Sequence, residues 1–426
     1  MSHTMSVTFL GTSSGGGPSD TRSCSSLALD ILGNGDLWLV DCAEGTTRQF
    51  AMQPFGPRRL KTSRITKIFI THLHFDHCMG VITLLANILR GSAGASQPPR
   101  SKPPLVELYG PAGLRVFVRS ILKMTMTDLT ERYAVHELLT PSDKPTSCET
   151  GNMHPGESIG RNILSVSTGL WFDLAVYGSV HVDAAPILHR APCIGYVFRE
   201  TNHLERKIVV LGDTCDPSAI TDLAQNAALL VHEATDAHIP VSIDRSFRGD
   251  KKTPAFVRQK IVSKGHSTPG MAGAFAKMIN AERLVLNHFS GKFPAPNPYR
   301  PDPRRRLVMN EIERQANEAW GEENKKAIAS YDFMRVDIPG APVQSRFREP
   351  KMEPSEVEKP PVVERPSVVV KPSEMVKPAE VEKPAEEKPS QVSTQAPAQT
   401  PRRAPRTPPP TIQKNQTRNV LKRRKT

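Results

Sequence analysis

Three histidines and an aspartate fall within six positions in the stretch Thr71-His72-Leu73-His74-Phe75-Asp76-His77. An apolar run over 65–70 precedes them and an amphipathic stretch from Gly80 follows, which predicts a turn from a buried strand into a helix. On such a turn the four side chains can converge on one point. Along a strand they would alternate between faces, and around one helix they would spread. Imidazole nitrogen and carboxylate oxygen are donors that zinc and similar borderline ions take. An open catalytic ion usually takes three protein ligands, so two adjacent ions are expected, His72 and His74 on one, Asp76 and His77 on the other. The competing reading is a chance polar cluster on a solvated loop. A specified HxHxDH should arise by chance in well under one in about a thousand such chains.

The 426 residues suffice for one large domain or two ordinary ones. Lys and Arg number 56 against 43 Asp and Glu, a balance that favours polyanionic partners. Six widely separated cysteines form no CxxC, and the opening Met1 to Met5 has neither a basic n-region nor an Arg-rich amphipathic pattern. A reducing compartment without disulfides or a targeting peptide is therefore expected. No apolar run approaches about 18 residues, so no membrane span is expected.

Along the chain, strands are predicted at 7–10, 26–32, 37–40, 65–70, 105–109 and 133–138, and helices after Thr46, from Gly80 and over 112–124. The segment 139–162 is polar and Pro-rich and reads as a surface loop. Short β-type runs follow at 163–167, 174–177, 180–182 and 194–198. Then come strands at 207–211, 228–231, 284–286 and 330–338, with helices at 217–225, 269–280 and 304–320. This alternation predicts an α/β sandwich, sheets covered by helices. Ionisable residues recur where strands end, which is where open α/β sheets place their sites. They include Asp41, Asp213, His232, Glu233 and His288, with His189 and His266 nearby. Asp41 suits either a helix cap or the orientation of a metal-bound histidine. The glycine-rich loop 11–18 suits either a flexible turn or close approach of backbone to a ligand.

Beyond Val343 the character changes. A basic residue followed by proline recurs every six positions, at Lys359, Arg365, Lys371, Lys377 and Lys383, in a Glu- and Val-rich context. Such a segment cannot bury a core, and disorder is expected. From Ser390 to Thr426 there are nine basic residues and no acid, including Arg402, Arg403, Lys422, Arg423, Arg424 and Lys425. The expected division is a catalytic domain over 1–342, a repeat linker over 343–389 and a basic tail over 390–426. That tail fits a nuclear-import signal or a grip on phosphates, against the plainer reading of a solubilising tail.

With Asp41-Cys42-Ala43-Glu44-Gly45-Thr46, His232-Glu233-Ala234-Thr235, Gly265-His266-Ser267-Thr268 and Asn287-His288-Phe289 following the same order as HxHxDH, residues 5–338 resemble tRNase Z. That family consists of tRNA 3′-processing endonucleases within the metallo-β-lactamase superfamily, and the likeness is to its short form. The resemblance implies the αββα sandwich of that superfamily and two zinc ions. One would be held by His72, His74 and His189, the other by Asp76, His77 and His288, with Asp213 bridging. It makes Asp41 a support of the histidines. It makes His266, in the His232/Glu233 context and oriented by Glu233, the acid that protonates the leaving 3′ oxygen. Asp76 would also help deprotonate the attacking water. Precursor tRNA is the implied substrate, and a nuclear homodimer is expected, with cytoplasm or mitochondrion as alternative locations.

Two departures from the family bear on substrate. The loop after the first strand keeps only Arg22 of the basic residues usual there, and Arg22 is the candidate RNA contact. Short enzymes of the family insert a long tRNA-gripping arm between the positions of Gly195 and Gly212. Here only a hairpin turn near 200–206 fits, so tRNA capture is expected to draw partly on the basic tail. Two other readings compete: a dizinc hydrolase of small phosphodiesters or esters, and a non-catalytic RNA- or protein-binding scaffold.

Overall fold

The computed structural model describes residues 3–90, 97–245, 253–296 and 302–340. Two sheets face each other. The first has nine strands, running in order Arg335–Ile338, Met5–Gly11, Ser26–Asp30, Leu37–Cys42, Ile65–Phe69, Val106–Pro111, Tyr133–Leu139 and Glu157–Ser158, with Asn162–Leu164 also pairing on Tyr133–Leu139. The second has seven, in order Ile328–Ala329, Leu284–Asn287, Leu229–Glu233, Lys207–Leu211, Cys193–Glu200, Val180–Ile187 and Val176–Tyr177.

Strand periodicity explains the layers. In Leu37–Cys42, Trp38 and Val40 enter the core between the sheets, where Phe69, Tyr109, Tyr196 and Phe198 meet them. Leu37 and Leu39 point the other way, into a core closed by the helices Val81–Ile88 and Leu114–Met124. The second sheet is covered in the same manner by Pro269–Met278 and Pro303–Trp320, through Phe275, Ile312 and Ala316. Strands buried on both faces lose polar alternation and read as continuous apolar runs, as 37–40 does. The result is the αββα sandwich. Among the described residues no helix is long and apolar enough to cross a membrane.

The central strands Leu37–Cys42, Ile65–Phe69, Val106–Pro111 and Tyr133–Leu139 are parallel, as are Lys207–Leu211, Leu229–Glu233 and Leu284–Asn287. Their carboxyl ends therefore gather at one edge of each sheet. Asp41, His72, Asp213, Glu233 and His288 all lie at those ends.

Three segments differ from expectation. The stretch 139–162 is not simply a surface loop, because it carries the strand Glu157–Ser158. Glu157 is buried and paired with Arg119 at 2.7 and 2.8 Å. Burial by ion pairing leaves no apolar pattern to read. The expected closing strand over 330–338 forms only as Arg335–Ile338 in the first sheet, while Ile328–Ala329, just ahead of it, pairs in the second, with Phe333 at φ 69° in the turn between. The helix Pro254–Val262 has no counterpart in the expectations. Thr253 caps it and Pro254 opens it, but only Val257 and Ile261 are buried, too few to make a visible period. The repeat linker and the basic tail, with their expected disorder, lie outside the described residues.

Candidate metal centre

Asp41 organises the turn that carries the histidines. Its carboxylate accepts from the Thr71 backbone N–H at 2.8 Å and the Thr71 hydroxyl at 3.0 Å, and meets Nδ1 of His77 at 2.6 Å. The chain then passes His72, takes an extended backbone at His74 and enters the short helix Phe75–Cys78, in which Asp76 and His77 are buried. The glycine-rich loop comes to the same place, where the Gly15 N–H donates to Asp76 at 2.5 Å. His189 arrives from the loop between Val180–Ile187 and Cys193–Glu200.

Two sets of donors with no residue in common result, and a third group, Asp213, His266 and His288, overlaps both. His72, His74, His189 and Asp213 present ligand atoms within 4.8 Å of one another, and so do Asp76, His77 and His288. In the first set Nε2 of His72 lies 2.8 Å, and Nε2 of His189 3.3 Å, from Nδ1 of His74. In the second, Nε2 of His77 and Nε2 of His288 are 3.1 Å apart, with Asp76 3.5 Å from His288. Asp213 divides its oxygens between the sets. Oδ2 is 3.6 Å from His72 and 3.9 Å from His189, whereas Oδ1 is 3.4 Å from His77 and 3.2 Å from His288.

This donor set fits a pair of borderline cations. Burial lowers the pKa of His72, His74 and His189, which keeps their rings neutral and able to ligate. Outer nitrogens are held from behind, Nδ1 of His72 by Thr71 at 3.0 Å and Nδ1 of His189 by the Gly265 carbonyl at 2.6 Å, whereas Nδ1 of His288 lies between Thr235 at 3.0 Å and Asp213 at 3.2 Å. Such partners fix ring orientation and leave the inner nitrogens facing one another. Thr71, Thr235 and Gly265 lie inside the motifs quoted from the sequence, but their supporting roles could be seen only in three dimensions. Cys193 is another, its Sγ 3.6 Å from Nδ1 of His72.

At the edge of the cluster Nδ1 of His266 lies 3.2 Å from Glu233 and 3.7 Å from Asp213. Burial works against its protonation, yet the Glu233 hydrogen bond and the two carboxylate charges outweigh it, so the His266 pKa is raised. Glu233 is itself pinned by the Thr214 N–H at 2.6 Å and by the Thr235 hydroxyl. The loop leaves no room for a side chain at Gly265, where φ is +79° and a Cβ would fall 2.8 Å from Nδ1 of His189.

Two expected site residues stand elsewhere. His232 alternates with Glu233 along its strand and points to the opposite face, where its ring lies 6.0 Å from that of Phe275 and its Nδ1 meets the Glu233 carbonyl. It is buried outside the donor cluster, so a catalytic role is withdrawn. Arg22 is buried rather than offered to RNA. It donates to the carbonyls of Phe293 and Ser330 and the Thr12 hydroxyl and covers the Phe289 ring, while burial pushes its pKa down to about 10. It braces the loop beside the pocket. Arg402, Arg403, Lys422, Arg423, Arg424 and Lys425 lie outside the described residues. Where an arm was in question, Cys193–Glu200 and Lys207–Leu211 join by a tight hairpin, closed by Arg206 on Glu200 at 2.7 and 2.8 Å.

A sequence profile described as a beta-lactamase superfamily domain matches residues 38–289. Zinc phosphodiesterase ELAC protein 1 of Bos taurus is 31% identical over 400 aligned positions, which take in 79% of this chain and 99% of the relative. That alignment is longer than the share of this chain within it, so the relative has segments this chain lacks. Ribonuclease Z of Synechocystis is 32% identical over 352 positions, covering 79% of this chain and 94% of the relative. The crystal structure of human tRNase Z, short form, superposes with a TM-score of 0.54 at 33% identity, over 78% of this chain and 99% of that one. The chain belongs to the metallo-β-lactamase superfamily and, within it, to the family of the ELAC1 zinc phosphodiesterases and ribonucleases Z.

Proposed function

We propose that the chain is a zinc-dependent phosphodiesterase that cuts precursor tRNA after its 3′ end, leaving a 3′-OH on the tRNA and a 5′-phosphate on the trailer. The observation that carries this reading is the position of Asp213, one oxygen facing each donor set, with the Glu233–His266 pair at its side. His72, His74 and His189 would hold one zinc ion and Asp76, His77 and His288 the other. A bound pair of such ions neutralises charge on an attacked phosphate and makes hydroxide available near neutral pH.

The remaining work falls to the chain's own side chains. A ribose 3′ oxygen is a poor leaving group unless protonated as it departs. His266 holds a proton for it. Glu233 occupies the Nδ1 side, leaving the other ring nitrogen to the substrate. Asp76, held by the Gly15 N–H, would take a proton from the attacking water. Asp41 sets the turn on which three of the donors ride.

The tight hairpin at Glu200–Arg206 leaves the elbow of a tRNA without an arm to grip it, and the basic stretch 390–426 is the substitute we assign, with nuclear import as its second use. The catalytic unit is then 1–342 and the repeat segment 343–389 its linker. The experiment is cleavage of a precursor tRNA with mapping of both new ends, run beside hydrolysis of bis(p-nitrophenyl) phosphate. Trailer removal with 3′-OH and 5′-phosphate termini is the expected result. Hydrolysis of the small diester alone would give the protein to the small-substrate hydrolases of the superfamily.

A further inference from the structure

His74 and His189 touch inside the pocket, their rings 5.1 Å apart. Each is followed in the chain by a side chain that turns out to solvent. Phe75 is 54% exposed, and Arg190 is exposed as well. Phe75 opens the short helix whose inward positions belong to Asp76, His77 and Cys78, and about half of its surface stays in solvent. It stacks on no other ring among the described residues, and Arg190 makes no hydrogen bond or ion pair through its side chain among them. The charge on Arg190 is nonetheless felt at both His74 and His266. Leu73 and Met79, also exposed, extend the apolar lip beside Phe75.

An unpartnered aromatic face and an unpaired guanidinium next to the same two histidines match the two parts of a nucleotide. Bases stack on aromatic side chains whatever their sequence, and a guanidinium forks onto phosphate oxygens. We propose that Phe75 and Arg190 clamp one nucleotide flanking the scissile phosphate, Phe75 stacking on its base and Arg190 pairing with its phosphate. The clamp rests on the RNA-cleaving reading above and adds to it a grip on single-stranded RNA at the cut, separate from any grip on the body of the tRNA. A second copy of the chain would be the other occupant of an apolar lip. The unpaired Arg190 that follows His189 and the donor pocket favour RNA.

The test compares kcat/KM on precursor tRNA for the wild type with Phe75→Ala, Phe75→Leu, Phe75→Trp, Arg190→Ala and Arg190→Lys. Substrates made abasic at the nucleotide just before or just after the cut are run in parallel, and metal content is measured for each protein. Phe75→Ala and Phe75→Leu should lose about 10- to 100-fold, and Phe75→Trp should stay close to wild type. One of the two abasic substrates should abolish the difference between wild type and Phe75→Ala, and that identifies the clamped base. Arg190→Ala should reduce the salt slope of binding by about one, and Arg190→Lys should keep it. The clamp is overturned if Phe75→Leu serves as well as Phe75→Trp, or if neither abasic substrate removes the difference. Conversion of a dimer to a monomer by Phe75→Ala, without loss on RNA, would give the lip to a second copy instead. Normal wild-type cleavage with indifferent variants sinks the clamp alone, while a wild type that leaves precursor tRNA intact sinks the proposed function with it.

Discussion

Asp41 and His77 stand 2.6 Å apart, carboxylate oxygen to ring nitrogen, and Asp41 makes that contact from a left-handed backbone with φ 58°. An aspartate tolerates that conformation better than most residues but at some cost, and such outliers gather at functional sites. Here the carboxylate holds both ends of the histidine turn, Thr71 and His77. Asp41→Asn removes the charge and leaves a nearly isosteric amide. Affinity for zinc should fall by about 10- to 100-fold, read by competition with a chelator, while the far-ultraviolet circular dichroism stays native. An Asn variant with unchanged affinity would show that the turn is held by its backbone alone.

The His266–Glu233 contact leads to a prediction that separates proton donation from metal binding. His266→Ala should slow precursor tRNA cleavage by about two to four orders of magnitude with metal content intact. The same variant should hydrolyse bis(p-nitrophenyl) phosphate at close to the wild-type rate, because p-nitrophenolate departs without a proton. Equal losses on both substrates would place His266 in the metal scaffold instead, and equal rates on tRNA would remove its acid role.

Gly80 begins the helix after the histidine turn and passes close under Ala43, where an added Cβ would meet the carbonyl oxygen at 1.9 Å. Its φ of −78° is ordinary, so the constraint is space rather than conformation. Gly80→Ala should push the turn away from Asp41. The expected readout is a lower urea midpoint together with weaker zinc binding, whereas a substitution made at an open glycine such as Gly151 should affect neither.

How far the sequence could be read depended on what kind of signal each part left. Leu37–Cys42 is buried on both faces and opens on an apolar run, and Ile65–Phe69 keeps apolar residues at its ends, so both were legible to within a residue or two. The histidine cluster was legible because six positions hold four ligand-type side chains. His232 shows the limit. Motif order places it beside Glu233, but a strand sends neighbours to opposite faces, and only the contacts, Glu233 on His266 and His232 beside Phe275, show which of the two faces the donors. Arg22 shows another, since a lone arginine in a polar loop carries no mark of the carbonyls that will bury it. The strand Glu157–Ser158 went unread because ionic burial has no period.

That ionic burial is itself testable. Arg119 and Glu157 form a two-pronged pair with both side chains nearly out of solvent, at 8% and 0% exposure. The pairing raises the pKa of Arg119, first through its hydrogen bond to Glu157. Removing one partner strands the other, so Glu157→Ala should cost about 3–5 kcal/mol in urea unfolding. Replacing both residues with apolar ones of similar volume should recover much of that loss.

The basic tail gives the last prediction. The chain carries a net charge of +13, and the nine basic residues after Ser390 account for most of it. If those residues hold tRNA phosphates, deleting 390–426 should weaken binding most at low salt, where counterion release contributes most. The plot of log affinity against log salt should also flatten, by about 0.7–0.9 for each phosphate that is no longer neutralised. Hydrolysis of bis(p-nitrophenyl) phosphate should not change, because every donor of the pocket lies between Asp41 and His288. A deletion that lowers affinity without altering the slope would mean that the tail contributes something other than charge. A deletion that changes neither would return the whole of tRNA capture to the catalytic domain.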